Sequence, residues 1–223
     1  MSAWQGTAGT QDREGSLSKR RRARDRSALI VGTSTEFLGK KPLPIVVRQR
    51  PVLLVLGEAG TGKTSVARRI LGQNALRLRG EALQEACARA VRRGRWPEEL
   101  LVAPGLILDG PTYLNRRPGV VRLLGSLLAS RSSVGLRTVV CQGKADDTAS
   151  LLMDGLETGQ RATVTLRFPI GRGRVRFAVR MCQQLDLPTS IGRQLEVSEP
   201  WTYRKVIRAL HVHRREDVEL TSG

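Results

Sequence analysis

The chain is poor in aromatic residues and in cysteine. Aromatics make up 4% of the 223 residues, so a hydrophobic core must be built mainly from Leu, Val, Ile and Ala. The three cysteines, Cys87, Cys141 and Cys182, are far apart in the sequence. They form no C-x-x-C pair, and no histidine cluster lies near them. This spacing argues against a zinc site or a disulfide framework and favours a reducing compartment. We therefore expect a cytoplasmic protein.

Long apolar runs and acidic residues are also scarce. No stretch approaches the length of a membrane span, and the N-terminal region lacks the apolar segment of a secretory signal, so we expect no membrane partner. Positive charge is abundant instead, because 38 Lys and Arg stand against 20 Asp and Glu and give a net charge of +18. Such an excess favours association with nucleic acid or another polyanion. A diffuse, solvated, Arg-rich surface is the alternative.

Residues 1–27 are polar and contain a basic run at 19–26. A segment with so few apolar residues cannot bury enough surface to offset its chain entropy, so we predict a disordered basic tail. The run could hold a nucleic acid backbone without sequence preference, or it could only keep the chain soluble.

From residue 28 onward, strand-like apolar runs alternate with helix-like amphipathic segments. The predicted strands are Val52–Leu56, 75–78, Gly105–Asp109, 136–141 and 163–168. The predicted helices are Lys63–Leu71, 80–91, 120–128, a segment around residues 178–185, and 201–212. This alternation predicts an α/β fold in which helices cover a parallel sheet, followed by a small helical subdomain after Pro169.

A phosphate-binding motif directly follows the strand Val52–Leu56. The eight residues that match G-x-x-x-x-G-K-T, and that we predict to contact a nucleoside triphosphate, are Gly57, Glu58, Ala59, Gly60, Thr61, Gly62, Lys63 and Thr64. The glycines let backbone N–H groups surround an anion, and the next helix begins with its positive dipole end toward the phosphates. Lys63 would reach the β- and γ-phosphates, and the Thr64 hydroxyl would bind Mg²⁺.

A second strand, with the sequence L-I-L-D, ends in Asp109. A carboxylate at this strand end is expected to hold the Mg²⁺ shell opposite Thr64. The next residue is Gly110, where a hydrolase of this type usually has a second acid that orients the attacking water. A positioned carboxylate contributes roughly 10²–10⁴-fold in rate. We therefore expect strong ATP binding with weak or absent hydrolysis, unless Asp146, Asp147 or another group substitutes.

Together with two further segments, these motifs resemble the AAA+ domain of the DnaA family of bacterial replication initiators, and its short paralogues without the DNA-binding domain. Residues 29–34, L-I-V-G-T-S, resemble a segment that packs against the adenine, which implies this role for Val31 and Gly32. Residues 204–210, R-K-V-I-R-A-L, resemble the sensor 2 segment, which implies that Arg204 reaches the γ-phosphate from the lid. The resemblance implies an AAA+ P-loop core at 28–168, a helical lid at 169–223, and ATP and Mg²⁺ as cofactors.

The chain departs from the family pattern in two further places. The sensor 1 region, 139–142, lacks the usual hydroxyl and acid, and the arginine-finger pattern at 152–159 has Gly155 in place of the arginine. Such an arginine can contribute about 10³–10⁵-fold in rate. Arg161 lies nearby but does not fit the pattern.

The resemblance implies a nucleotide-dependent regulator or adaptor in replication initiation, with an AAA+ replication protein or a helicase-loading protein as its partner. Two alternatives stay open. One is a small P-loop kinase that uses Arg172, Arg174 or Arg176 as lid arginines. The other is a pseudo-ATPase that binds nucleic acid through its basic surface.

Overall fold

The computed structural model describes residues 28–39, 42–110, 118–143, 152–195, 197 and 201–221. The predicted basic tail at 1–27 lies outside the described residues, and so do Asp146 and Asp147.

Six parallel strands form one sheet in the order β1-β6-β2-β5-β4-β3. The strands are β1 (Ala28–Thr33), β2 (Val52–Leu56), β3 (Leu76–Arg79), β4 (Gly105–Asp109), β5 (Arg137–Gln142) and β6 (Arg161–Arg167). Because β5 pairs with both β2 and β4, the carboxyl ends of these three strands meet at one edge, where ligands bind in open parallel sheets. The predicted α/β fold with a parallel sheet is therefore confirmed.

Helices cover the sheet and continue beyond it. They are α1 (Ser34–Leu38), α2 (Ile45–Gln49), α3 (Lys63–Leu71), α4 (Glu81–Arg93), α5 (Glu98–Val102), α6 (Pro118–Ser133), α7 (Arg172–Gln184), α8 (Thr189–Gln194) and α9 (Tyr203–Thr221). Within the described residues, none of these helices has both the length and the apolarity needed to cross a bilayer.

The central strands are buried on both faces, as is typical of parallel sheets. Leu54, Leu106 and Leu108 face one apolar cluster, which contains α4 and α6. Leu53 and Ile107 face a second cluster, which contains the apolar side of α3. A third cluster joins α7 to α9 and includes Cys182, Trp201 and Leu210 among its buried members. All three cysteines of the chain are free and buried.

Several arginines stabilise the fold by binding carbonyl oxygens rather than acids. The fully buried Arg131 donates to the hydroxyl of Thr138 and to four backbone carbonyls, those of Leu100, Leu101, Ala103 and Arg137. It thereby ties the end of α5 to α6 and to the start of β5. Arg137 similarly donates to the carbonyls of Ile70 and Val47, at 3.2 and 2.7 Å, and so binds the end of α3. Burial lowers the pKa of both guanidinium groups.

Candidate functional site

The glycine-rich turn between β2 and α3 lies at the carboxyl edge of the sheet. Gly62 precedes α3 with φ of 85°, a left-handed conformation that favours glycine. Gly57 is held between two strands. Its N–H donates to the carbonyl of Gln142 at 3.2 Å, and a Cβ at this position would lie 2.8 Å from the carbonyl oxygen of Leu166. The sequence therefore forms a compact loop that leads directly into the N-terminus of α3.

Lys63 is the first residue of α3, and its side chain folds back over the loop. Its Nζ donates to the carbonyls of Gly57 and Glu58, at 2.6 and 2.8 Å. Burial lowers the pKa of Lys63, whereas the nearby Cys141, Asp109 and Glu58 act in the opposite direction. The two loop carbonyls thus hold the ammonium group against the glycine-rich loop.

The two predicted Mg²⁺ ligands are in direct contact. The Thr64 hydroxyl donates to Oδ2 of Asp109 at 3.0 Å, so the first turn of α3 meets the end of β4. A hydroxyl and a carboxylate oxygen are ligands of the kind that Mg²⁺ takes. Among the described residues, no group of three or more His, Cys, Asp and Glu side chains could hold a metal ion on its own.

Arg77 of β3 also binds Asp109, a contact that the sequence analysis did not identify. Its Nε donates to Oδ2 at 3.0 Å, and its Nη2 forms an ion pair with the same oxygen. The contact depends on β3 lying next to β4 in the sheet. The sequence signal was an arginine within a strand pattern that alternates Leu and Arg, but the strand order was needed to place it beside Asp109.

A glycine follows Asp109 in the chain, and a buried glutamine follows Cys141, the partner of Asp109 in β5. Gly110 has φ of 75°, and its N–H donates to the carbonyl of Cys141 at 2.8 Å. A second acid at position 110 would therefore have to adopt a strained backbone. Gln142 ends β5 beside Leu56 and is fully buried, so it is the polar side chain in the predicted sensor 1 region. Burial raises the pKa of the Cys141 thiol to about 12, which keeps this thiol protonated at neutral pH.

Val31 and Gly32 lie at the end of β1, on the same edge of the sheet as the loop. Gly32 pairs with Leu166 of β6, and β6 pairs in turn with β2. Val31 is 48% exposed. A cavity of about 1050 Å³ begins at the next residue, Thr33, and separates α1 from α7. Its lining combines apolar side chains with the arginines of two successive turns of α7: Leu38, Ile170, Phe177, Arg176 and Arg180.

The start of α9 lies against the glycine-rich loop. A Cβ on Gly60 would be 3.1 Å from the Cβ of Thr202, so the two residues are in close contact. Thr202 also caps α9, because its hydroxyl accepts a hydrogen bond from the N–H of Lys205 at 3.2 Å. The predicted sensor 2 residue, Arg204, is exposed on the first turn of this helix, two residues after the contact.

Four of the chain's eight aromatic residues cluster where the sheet meets α7 and α9. They are Phe168, Phe177, Trp201 and Tyr203, with ring centroids 4.4 to 6.2 Å apart. Arg174 stacks 5.4 Å above the Trp201 ring and donates to the carbonyl of Pro169. Of the arginines considered for a kinase, Arg174 is therefore engaged in this cluster, whereas Arg172 and Arg176 are exposed.

Gly155, which stands where the arginine-finger pattern has its arginine, lies on the surface. Gly155 is exposed in a turn after residues 152 and 153. Arg161 is partly buried and donates to the carbonyl of Met153 at 2.6 Å, so it stabilises its own chain at the start of β6.

Comparisons with known proteins identify this fold but no sequence family. No protein-family model matches the chain, and no curated protein matches it in sequence. Among solved structures, it is similar to domain III of the replication initiation protein DnaA from Thermotoga maritima, with 15% identity and a TM-score of 0.59. This match covers 95% of the present chain and 87% of the other.

Two nucleotide-bound structures are similar as well. The replication initiator DnaA bound to AMPPCP and single-stranded DNA has 12% identity and a TM-score of 0.56, with 96% of this chain and 66% of that chain covered. AMPPCP-bound DnaA from Aquifex aeolicus has 11% identity and a TM-score of 0.51, with 96% and 68% covered. The chain thus spans about two thirds of these two proteins. At these identities the likeness is one of fold, and the chain has the AAA+ fold of DnaA domain III.

Proposed function

We propose that the chain is an ATP-binding, DnaA-like AAA+ protein that acts as a nucleotide-dependent regulator or adaptor in DNA replication initiation. The observation that carries this proposal is the convergence of Lys63, Thr64 and Asp109 at one edge of the sheet. Thr202 contacts Gly60, so the start of α9 also lies at this edge of the sheet.

The triphosphate would lie along the loop of residues 57–64, where N–H groups and the N-terminus of α3 favour anions. Lys63 would exchange its two carbonyl partners for phosphate oxygens, and Arg204 would approach from the lid. The base would lie near Val31 and Gly32, beside the cavity that begins at Thr33. Two structures with the same fold contain AMPPCP, which supports a nucleotide in this fold.

Thr64 and Asp109 both supply oxygen ligands, and they would hold Mg²⁺ beside the phosphates only if Arg77 released Asp109. Arg77 opposes this role because it already occupies Oδ2 of Asp109. When bound, the ion would supply charge neutralisation at the phosphates. A cytoplasmic setting suits the three free, buried thiols.

We expect hydrolysis to be weak or absent. Gly110 supplies no acid beside Asp109, and its φ of 75° disfavours one. Gly155 supplies no arginine, and Arg161 binds the carbonyl of its own Met153. Without hydrolysis, a switch depends on the different affinities of the ATP and ADP states for a partner.

Isothermal titration calorimetry with ATP and ADP tests nucleotide binding. We expect binding by the wild type and by Arg68→Ala, which removes an exposed arginine from α3, and a strong loss in Lys63→Ala. At a ligand concentration of about 100 Kd, ATP should stabilise the fold by roughly 2.7 kcal/mol. If Lys63→Ala binds as tightly as the wild type, the loop is not the nucleotide site.

Single-turnover hydrolysis tests the expectation of weak turnover, and partner capture tests the proposed role as a nucleotide-dependent adaptor. Robust ATP hydrolysis that disappears in Lys63→Ala would refute the expectation of weak turnover. Capture of an AAA+ replication protein or a helicase-loading protein should differ between the ATP, ADP and nucleotide-free states. Equal capture in all three states would contradict a nucleotide-dependent adaptor.

Nonspecific nucleic acid binding is a second candidate function, with or without nucleotide hydrolysis. The end of α4 and the segment after it expose Arg92, Arg93 and Arg95, in a chain of net charge +18. Each phosphate contact should steepen the dependence of log K on log salt by roughly 0.9 on duplex DNA. If the wild type shows no affinity for DNA at low salt, DNA binding is excluded.

A further inference from the structure

Asp109 is engaged by more donors than the Mg²⁺ role predicts. Its Oδ2 accepts hydrogen bonds from the Thr64 hydroxyl and the Arg77 Nε, both at 3.0 Å, and it forms an ion pair with the Arg77 Nη2. The contact is largely sheltered from water, because the side chains of Arg77 and Asp109 are 29% and 13% exposed. Opposite charges interact more strongly in such surroundings than at the open surface.

This ion pair differs from the other one that the structure gives between two described residues. Arg89 and Glu99 form that second pair at 3.4 Å, and their side chains are more exposed, at 35% and 57%. The buried Arg131 and the partly buried Arg137 bind carbonyls instead. Arg77 is thus the arginine that neutralises the carboxylate at the candidate site.

The charges around the phosphate position favour a triphosphate over a divalent cation. Of the described residues that meet at Asp109 and the loop, Lys63 and Arg77 bring two positive charges, and Asp109 brings one negative charge. Gly110 adds no acid, and Glu58 is exposed. The Arg77 guanidinium would repel Mg²⁺ and already binds Oδ2, one of the two carboxylate oxygens of Asp109. The charges of Arg77 and Lys63 both act on Cys141, so both groups lie near it, and Arg77 can add to the attraction that Lys63 exerts on phosphate oxygens.

We propose that Arg77 takes the place of the metal ion on Asp109, so that this chain binds a nucleoside triphosphate without needing Mg²⁺. The inference rests on the proposed nucleotide binding. Arg77 acts here as a positioning residue, because it holds the Asp109 carboxylate and supplies a fixed positive charge beside the phosphates. Thr64 and Asp109 gain a metal-binding role when Arg77 is removed.

The test is a titration of the full chain with a fluorescent ATP analogue, in excess MgCl₂ and in excess EDTA. For the wild type we expect Kd values that differ by less than about threefold between the two conditions. For Arg77→Gln we expect binding at least about tenfold tighter with Mg²⁺ than with EDTA, because the freed carboxylate and the Thr64 hydroxyl can then hold the ion.

Arg79→Gln is the matched control. Arg79 lies two residues further along β3 and is exposed, so this variant removes the same charge from the same strand while Arg77 keeps its place on Asp109. We expect it to retain the weak Mg²⁺ dependence of the wild type. Circular dichroism should verify that both variants are folded. The comparison of the wild type in MgCl₂ with the wild type in EDTA does not depend on any variant.

The outcomes separate the two proposals. A wild type that loses affinity tenfold or more in EDTA overturns the role of Arg77 and leaves nucleotide binding intact. Equal Mg²⁺ dependence in Arg77→Gln and the wild type also overturns that role. If the folded wild type binds no nucleotide in either condition, the proposed function itself fails, and this inference fails with it.

Discussion

Replacing Arg131 should destabilise the protein more than replacing any exposed arginine. The side chain is fully buried, and Arg131→Leu would remove the donors to one hydroxyl and four carbonyls. A buried acceptor without a partner costs about 1–3 kcal/mol, whereas removal of a buried cation returns part of its desolvation cost. We therefore expect a net loss of about 3 kcal/mol in the free energy of unfolding, out of roughly 5–15 kcal/mol for a typical domain.

Equilibrium urea denaturation measures this loss as a lower midpoint. Arg131→Lys should lose less unfolding free energy, because lysine keeps the charge and three N–H donors. It should still lose some, because these donors lie on one atom instead of on a planar fork. Arg122→Leu is the matched control, since Arg122 is exposed on the same helix, α6, and should change stability by no more than about 0.5 kcal/mol. If Arg131→Leu and Arg122→Leu unfold at the same urea concentration, the carbonyl contacts do not stabilise the fold and the reasoning is refuted.

Three further predictions concern the site and the core. Gly110→Glu should lower stability by about 1–2 kcal/mol, because φ of 75° strains any residue with a Cβ. Thermal melts measure this loss, and the control Gly143→Glu should lose less. Equal losses in the two variants would contradict backbone strain at Gly110. Thr202→Ala removes the cap of α9 and should cost about 1 kcal/mol in urea denaturation, and an unchanged midpoint would show that the cap contributes nothing. Burial raises the pKa of Cys87 from 9.0 to about 11, so the unfolded chain ionises first and stability should fall as pH rises from about 9 to 11. Because burial also raises the pKa of Cys141, Cys87→Ala should reduce the difference between the urea midpoints at pH 9 and pH 11 without abolishing it; an unchanged difference would exclude a contribution of Cys87.

Much of the fold follows from local sequence patterns. The strand Val52–Leu56 and the helix Lys63–Leu71 have the predicted bounds because an apolar run, three glycines and an amphipathic segment follow one another directly. Short elements such as α2 (Ile45–Gln49) escaped prediction because five residues do not complete two helical turns and so show no periodicity. The strand β1 also escaped prediction as a strand. It lies at the edge of the sheet, where Leu29 and Val31 are 65% and 48% exposed, so it is not a fully buried apolar strand like β2.

The candidate site was predictable only in part, for the same reason. Thr64 and Asp109 could be paired because each belongs to a motif of known spacing, and the structure brings them to 3.0 Å. Arg77 and Thr202 belong to no such motif. Arg77 reaches Asp109 only because β3 and β4 are neighbours, and Thr202 reaches Gly60 only through the packing of α9. Contacts set by strand order and helix packing leave little trace in a single sequence.

The aromatic cluster gives the protein a built-in optical signal. Trp201 is buried at the junction of α7 and α9, and it directly precedes Thr202, which touches the glycine-rich loop. The other described tryptophan, Trp96, lies in the core and donates to the carbonyl of Leu123. A rearrangement at the junction would alter the surroundings of Trp201 and leave those of Trp96 unchanged. Its intrinsic emission would therefore report a change at this junction, without any attached dye.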